Sequence, residues 1–286
     1  MTRPVKNKLR FLGHAAAPDI VRQEAQRGAA PPGISSSIRE LSAYIRARPG
    51  ISLDSMIAGA QRGDGHSVLV IPALLADDTQ TDDLRAFLSA LGYSAFGWEQ
   101  GPNVGPTARI LKGATARLSS LSAVHGKVSI VGFSMGGLFA RWLAREALGS
   151  VRQVITIGSP FMDASRSTVV PMGVFVKLWP GTDVRGMVEE VGKPLGVPST
   201  SVFSRDDGIV DWRSCRDPSA AADANVEVEG THVNMTANPA VLRVLATRLA
   251  RAVTADGSSY AQAAVPVPAS PGLLGANRGL ASRWAR

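Results

Sequence analysis

Ser134 stands between Gly132 and Gly136 in the run Gly-Phe-Ser-Met-Gly, and the chain changes character at that serine. Before it, Val128-Ser129-Ile130-Val131 is β-branched and apolar; after it, residues 136 to 145 carry apolar side chains at helical spacing. A hydroxyl at a strand-to-helix join packs worse than Val or Ala would, so it points to presentation of the oxygen rather than to packing. Flanking glycines let strand and helix approach without Cβ clashes, and a helix beginning at the next residue turns its positive end toward a developing oxyanion. In a chain with 29 glycines the Gly-x-Ser-x-Gly pattern alone is weak evidence. Its strand, turn and helix setting gives it weight.

A serine hydroxyl at neutral pH is a poor nucleophile and needs a histidine within hydrogen-bond reach, itself oriented by a carboxylate. Four histidines are available. His14 lies in a polar N-terminal stretch, His66 opens a strand and His125 sits in a turn, all three being ordinary surface or capping positions. His232 follows the short strand Val-Glu-Val-Glu and precedes the last helical pattern, which puts it in a loop on the carboxyl edge of a sheet. For the acid, Ser-Arg-Asp-Asp-Gly-Ile-Val-Asp offers Asp206, Asp207 and Asp211 just past a strand. Asp207, followed by Gly208, is favoured; Asp206 is the second candidate and Asp211 reads as a capping carboxylate. Serine, acid and histidine in that order along the chain suit acyl transfer on a strand-end site.

The elements that must hold these residues alternate regularly. Strands are expected at 66–72, 94–98, 127–133, 152–159, 200–205 and 226–229, and helices at 81–93, 107–121, from Met135 onward, and at 239–253. Continuous apolar strands alternating with amphipathic helices predict an α/β fold with a mainly parallel central sheet covered on both faces. Residues 161–198 are too long for a simple connection and too apolar for a free loop, and predict a short helical cap insertion. Val169, Val170, Met172, Val174, Phe175, Val176, Leu178 and Trp179 would form its apolar face. Phe133, Phe161, Phe175 and Trp179 are the aromatic candidates for a substrate pocket.

The division expected is a basic helical extension over 1–62, the main domain over 63–252 and a flexible tail over 253–286. The formal charge of +8 on 286 residues is uneven: residues 1–62 carry 10 Lys and Arg against 4 Asp and Glu, and 251–286 carry 4 against 1. With the basic excess on end segments poor in aromatic side chains, nucleic acid is not expected as a partner. Ile38, Leu41 and Ile45 form a short apolar stripe beside Arg39, Arg46 and Arg48, expected to dock on the main domain, a membrane surface being the less favoured partner. Cys215 is the only cysteine, which excludes an intramolecular disulfide and a cysteine-based zinc site. No apolar run is long enough to span a bilayer and the basic start lacks the apolar core of a secretory signal, so a cytoplasmic location is expected.

The blocks VLVIPALLADD, GYSAFGW, GPNVGPT, VGFSMGG, TIGSPF, SRDDGIVDW and THVNM together resemble α/β-hydrolases of the bacterial lipase and esterase type, in sequence order over residues 66–252. The resemblance implies a serine hydrolase cleaving carboxylic esters through an acyl-enzyme, with Ser134, Asp207 and His232 catalytic and an oxyanion hole made by the backbone N–H groups of Leu74 and Met135. The loop before Leu74 departs from the group's usual His-Gly or Pro-Gly, having Pro72-Ala73, and alanine resists a positive φ. Asn103 reads as a turn-stabilising amide. The chemistry requires no metal and no cofactor, and the expected partner is a small-molecule or lipid-like ester. An acyltransferase or thioesterase would use the same triad, and a binding protein on the same scaffold would not need it.

Overall fold

The computed structural model describes residues 53–162, 168, 177–179, 182–253 and 259–260. Its centre is a six-stranded, all-parallel sheet. The strands are β1 (Ser67–Ile71), β2 (Ser94–Gly97), β3 (Val128–Phe133), β4 (Val151–Ile157), β5 (Ser199–Phe203) and β6 (Asn225–Glu227). Every residue of β1 and β3 is buried, as expected of strands covered on both faces. The order across the sheet is β2-β1-β3-β4-β5-β6. The chain therefore starts inside at β1, winds outward to β2, and returns past β1 to run from β3 to β6. That reversal opens a crevice at the carboxyl ends of β1 and β3, where an open parallel sheet binds its ligands.

Two layers of helix cover the sheet. On one face lie α1 (Leu53–Ala58), α2 (Asp82–Ala90) and α6 (Pro239–Leu249), whose Leu84, Phe87, Leu88, Leu242, Leu245 and Leu249 bury themselves against Val68, Val70 and Val131 of the strands, with Met56 and Ile57 packed alongside. On the other lie α3 (Ala108–His125) and α4 (Met135–Glu146), with Ile110, Ala114, Leu118 and Leu121 meeting Phe139, Ala140 and Leu143 over Leu69, Ile71, Val128 and Ile130. The i, i+4, i+8, i+11 spacing of the α3 residues is the period that puts one stripe on the sheet. Thr107 starts α3 by accepting the N–H of Ile110.

Each of the six expected strands is present, with ends shifted by one or two residues. The last helix is shorter than its periodicity suggested: α6 stops at Leu249, and Ala252–Val253 (β7) pairs antiparallel with Ser259–Tyr260 (β8). The amphipathic pattern continues past Leu249, but the backbone groups beyond it take partners in a two-stranded ribbon instead. Within 161–198 the described part contains α5 (Val184–Gly192), capped by Asp183, whose side chain accepts the N–H of Gly186. The Ile38 stripe, His14 and the whole apolar stretch from Val169 to Val176 lie outside the described residues. Among the described residues no helix is long and apolar enough to cross a membrane.

Candidate active site

Ser134 follows β3 directly and precedes α4, with φ 54° and ψ −119°. A non-glycine residue with positive φ is strained, and it persists only where its surroundings hold it. Here the Ser134 N–H donates to Ile157 O at the end of β4 (2.8 Å), and its carbonyl accepts the N–H of Gly137 (3.0 Å). The flanking glycines have steric reasons. A Cβ on Gly132 would lie 2.3 Å from Gly136 O, and one on Gly136 would lie 2.2 Å from Ile71 O. The turn thus closes only without side chains at those two positions, and the Ser134 hydroxyl is carried to the switch point between β1 and β3.

His232 and Asp207 meet across the carboxyl edge. Asp207 follows β5, and its Oδ1 accepts the N–H groups of Ile209 (2.9 Å) and Val210 (2.8 Å), which aims Oδ2 at His232 Nδ1, 2.6 Å away. Both side chains are buried. The imidazole packs against the Phe133 ring at 5.0 Å between centroids, and Gly158 lies behind it: a Cβ there would come within 3.2 Å of the ring. His232 starts a 3-10 turn ending at Ala237, and Asn238 then binds Glu229 O through Nδ2 (2.7 Å) while its Oδ1 accepts the N–H of Ala240 to start α6. Asp206 is exposed, and Asp211 caps a short turn through the Arg213 N–H.

Ser134 and His232 line one cavity of about 490 Å³. Its wall is mostly apolar: Leu74, Pro106, Met135, Leu138 and Phe139 from the body, Ile209 and Val210 beside the acid, and Val184, Met187, Val188 and Val191 from α5. α5 is the described helix of residues 161–198 and lines the same cavity as the serine. Of the four pocket aromatics, Phe133 and Trp179 line the cavity. Phe161 is not among the lining residues: it is buried under the guanidinium of Arg141, 4.0 Å from its ring centroid. Phe175 lies outside the described residues.

Arg141 itself escaped sequence reasoning. Fully buried on α4, it donates to Val191 O and Lys193 O at the end of α5 and pairs with Asp217, so it fastens the carboxyl end of α5 to the body. Burial pulls its basicity down to about 10 in spite of Asp217. The loop before Leu74 keeps Ala73 out of the left-handed region, which alanine resists. The positive φ falls not on Ala73 but on Leu75 (φ 64°), and Ala73 spends its N–H on Gln80 Oε1 at 2.9 Å. Both Leu74 and Met135 border the cavity, and the Met135 amide is the first of α4, without an acceptor inside the helix.

A second serine, histidine and aspartate line up at the opposite edge of the sheet: Ser129 Oγ is 2.8 Å from His66 Nε2, and His66 Nδ1 bonds Asp64. Ser129 is fully buried near the amino end of β3, so a substrate has no approach to its oxygen. That arrangement ties strands together. Among the described residues no group of three or more His, Cys, Asp or Glu side chains is arranged to hold a metal ion.

No protein-family model and no curated protein matches the sequence. Solved structures similar to the chain include one from the metagenome-derived lipolytic enzymes LipS and LipT, 13% identical over 62% of this chain and 89% of that one, with a TM-score of 0.48. Alpha/beta hydrolase domain-containing protein 10 from mouse is 15% identical over 66% and 89%, TM-score 0.46. A lipase-esterase related protein from Clostridium acetobutylicum is 11% identical over 66% and 97%, TM-score 0.46. The parallel sheet order, the switch point between β1 and β3 and the strained turn at Ser134 give this chain the α/β-hydrolase fold.

Proposed function

We propose that the protein is a serine hydrolase of carboxylic esters with hydrophobic acyl groups, working through an acyl-enzyme on Ser134. The observation that carries the reading is the 2.6 Å contact from Asp207 to His232 Nδ1 on the cavity that also holds the strained Ser134. Asp207 keeps the imidazole proton on Nδ1, so that Nε2 takes the Ser134 proton as Oγ bonds the ester carbonyl carbon. The carbonyl oxygen becomes an oxyanion facing the amides of Leu74 and Met135. The imidazolium then returns its proton to the departing alkoxide as the C–O bond breaks. Water repeats the sequence on the acyl-enzyme and frees the acid and the serine. The apolar wall favours an acyl chain over a charged substituent, since a charge would lose hydration there without gaining a partner.

Hydrolysis of p-nitrophenyl esters from acetyl to palmitoyl, by the wild type and Ser134→Ala at equal purity, tests the reading. Activity should vanish in the variant, and the wild-type profile should rise beyond acetyl as methylenes fill the cavity. Equal rates in both proteins would remove Ser134 as the nucleophile.

A further inference from the structure

The amide of Leu74 belongs to a loop with no glycine to help aim it. Residues 72–76 turn sharply after β1, and Leu75 adopts φ 64° although its side chain is 75% exposed. Packing therefore gives nothing back for the strained backbone. What holds the turn is a set of hydrogen bonds from two residues outside it.

Asn103, fully buried, supplies three of them. Its Nδ2 donates to Pro72 O (2.9 Å), its backbone N–H donates to Ala76 O (2.8 Å), and its carbonyl accepts the N–H of Leu75 (2.8 Å). Its remaining side-chain oxygen accepts the N–H of Gly105 (3.2 Å). Gln80 supplies the fourth: its Oε1 accepts the N–H of Ala73 (2.9 Å) from the cavity side. With the amides of Ala73 and Leu75 both committed, the Leu74 amide between them has no acceptor among the described residues and borders the cavity beside Ser134. The loop's other wall is the turn at Ser134 itself, because Pro72 O would lie 2.7 Å from a Cβ on Gly136.

Asn103 has a second attachment that keeps it from moving with the loop. Gly105, with φ +87°, is covered by the Trp179 indole so closely that a Cβ there would lie 2.0 Å from it, and the Trp179 Nε1–H donates to Val104 O (2.5 Å). The segment 103–107 is thus pinned from the cap side, while it pins the loop 72–76.

We propose that Asn103 and Gln80 are positioning residues that fix the direction of the Leu74 amide, and with it one donor to the oxyanion. The inference rests on the ester-hydrolase reading above. Donors set in advance stabilise a transition state without reorganising, so a small misdirection costs rate while ground-state binding in the apolar cavity is kept.

The test uses Asn103→Asp, which turns the donor to Pro72 O into a repelling oxygen, and Gln80→Met, which keeps bulk at an exposed position but removes the acceptor. For each, kcat and KM on p-nitrophenyl butyrate are measured per active site titrated with a fluorophosphonate, so that misfolded protein is not counted. Inhibition by an alkyl trifluoromethyl ketone, whose serine adduct carries the oxyanion, is measured alongside. Asn103→Asp should lower kcat per site about 10- to 100-fold and Gln80→Met about 3- to 10-fold, with KM within about threefold and the ketone weakened in parallel. Unchanged kcat per site in both variants, whatever happens to their melting temperatures, would reduce the two residues to structural support and overturn the proposal. If Asn103→Asp does not fold, Gln80→Met decides alone. The ester-hydrolase reading fails separately, by wild-type activity in Ser134→Ala.

Discussion

Asp207 gives one oxygen to its own turn and the other to His232, and that division makes a clean substitution available. Oδ1 holds the turn through the N–H groups of Ile209 and Val210, and Oδ2 faces His232. In Asp207→Asn the side-chain oxygen can keep the turn while the amide presents N–H to Nδ1, moving the imidazole proton to Nε2, where it blocks uptake from serine. Turnover of p-nitrophenyl butyrate should fall about 10³- to 10⁴-fold with the melting temperature little changed. Asp206→Asn, at an exposed neighbour, should stay within about twofold on both counts. A comparable loss in the two would return Asp206 to consideration. The meeting of Asp207 with His232 and the strand-to-helix setting of Ser134 were legible because turn chemistry and chain order leave local marks. Gln80 was not, and of Asn103 only the local turn was legible, since their other bonds reach backbone groups 7 and 31 residues away and such contacts have no pattern along the sequence.

At the scale of elements, strands and helices were readable from periodicity, whereas the short turns that deliver His232 were not, because 3-10 segments carry too few residues for a period to show. The delivery depends on Asn238. It caps α6 with Oδ1 and holds Glu229 O with Nδ2, so the loop carrying His232 is clamped at both ends by one side chain. Asn238→Ala should destabilise the protein by about 1 to 2 kcal/mol, the value of a lost cap plus the lost bond to Glu229 O. Asn238→Asp keeps the cap acceptor and gives up only the bond to Glu229. Urea unfolding should place it between the wild type and the alanine variant; equal midpoints for Asp and Ala would mean that the cap contributes nothing. The apolar excess of residues 161–198 pointed to an ordered element such as α5, yet its fastening through Arg141 and Asp217 could not be read, because a lone arginine in an amphipathic helix looks like a surface charge until its burial is seen.

Across the whole molecule the two edges of the sheet have different tasks. The carboxyl edge holds the cavity, and the amino edge is laced by Asp64, His66, Ser129 and Arg152, which join the approach to β1 with β3 and β4. His66 bonds Asp64 and Ser129 and meets the Tyr93 ring edge-on at 4.9 Å. Burial holds its basicity below the ordinary histidine value, with Arg152 acting in the same direction and the pull of Asp64 too small to reverse it. Asp64 is pushed up by burial, but its bonds and charge contacts with His66 and Arg152 prevail and hold its acidity below the usual carboxylate value. A histidine that is harder to protonate folded than unfolded takes its proton first in the unfolded chain, so stability should fall as pH drops below about 6.5. The Asp64 contribution is present above the unfolded carboxylate value and is lost lower, as pH falls through its depressed folded value. Chemical unfolding between pH 7.5 and 5 should therefore show declining stability in the wild type and a flatter curve in His66→Gln, which begins lower because the tether is weakened. Identical slopes would show that His66 does not titrate across unfolding. Because this lacing lies at the edge away from Ser134, the pH profile of ester hydrolysis in folded His66→Gln should match that of the wild type, separating the acid sensitivity of the fold from that of the chemistry.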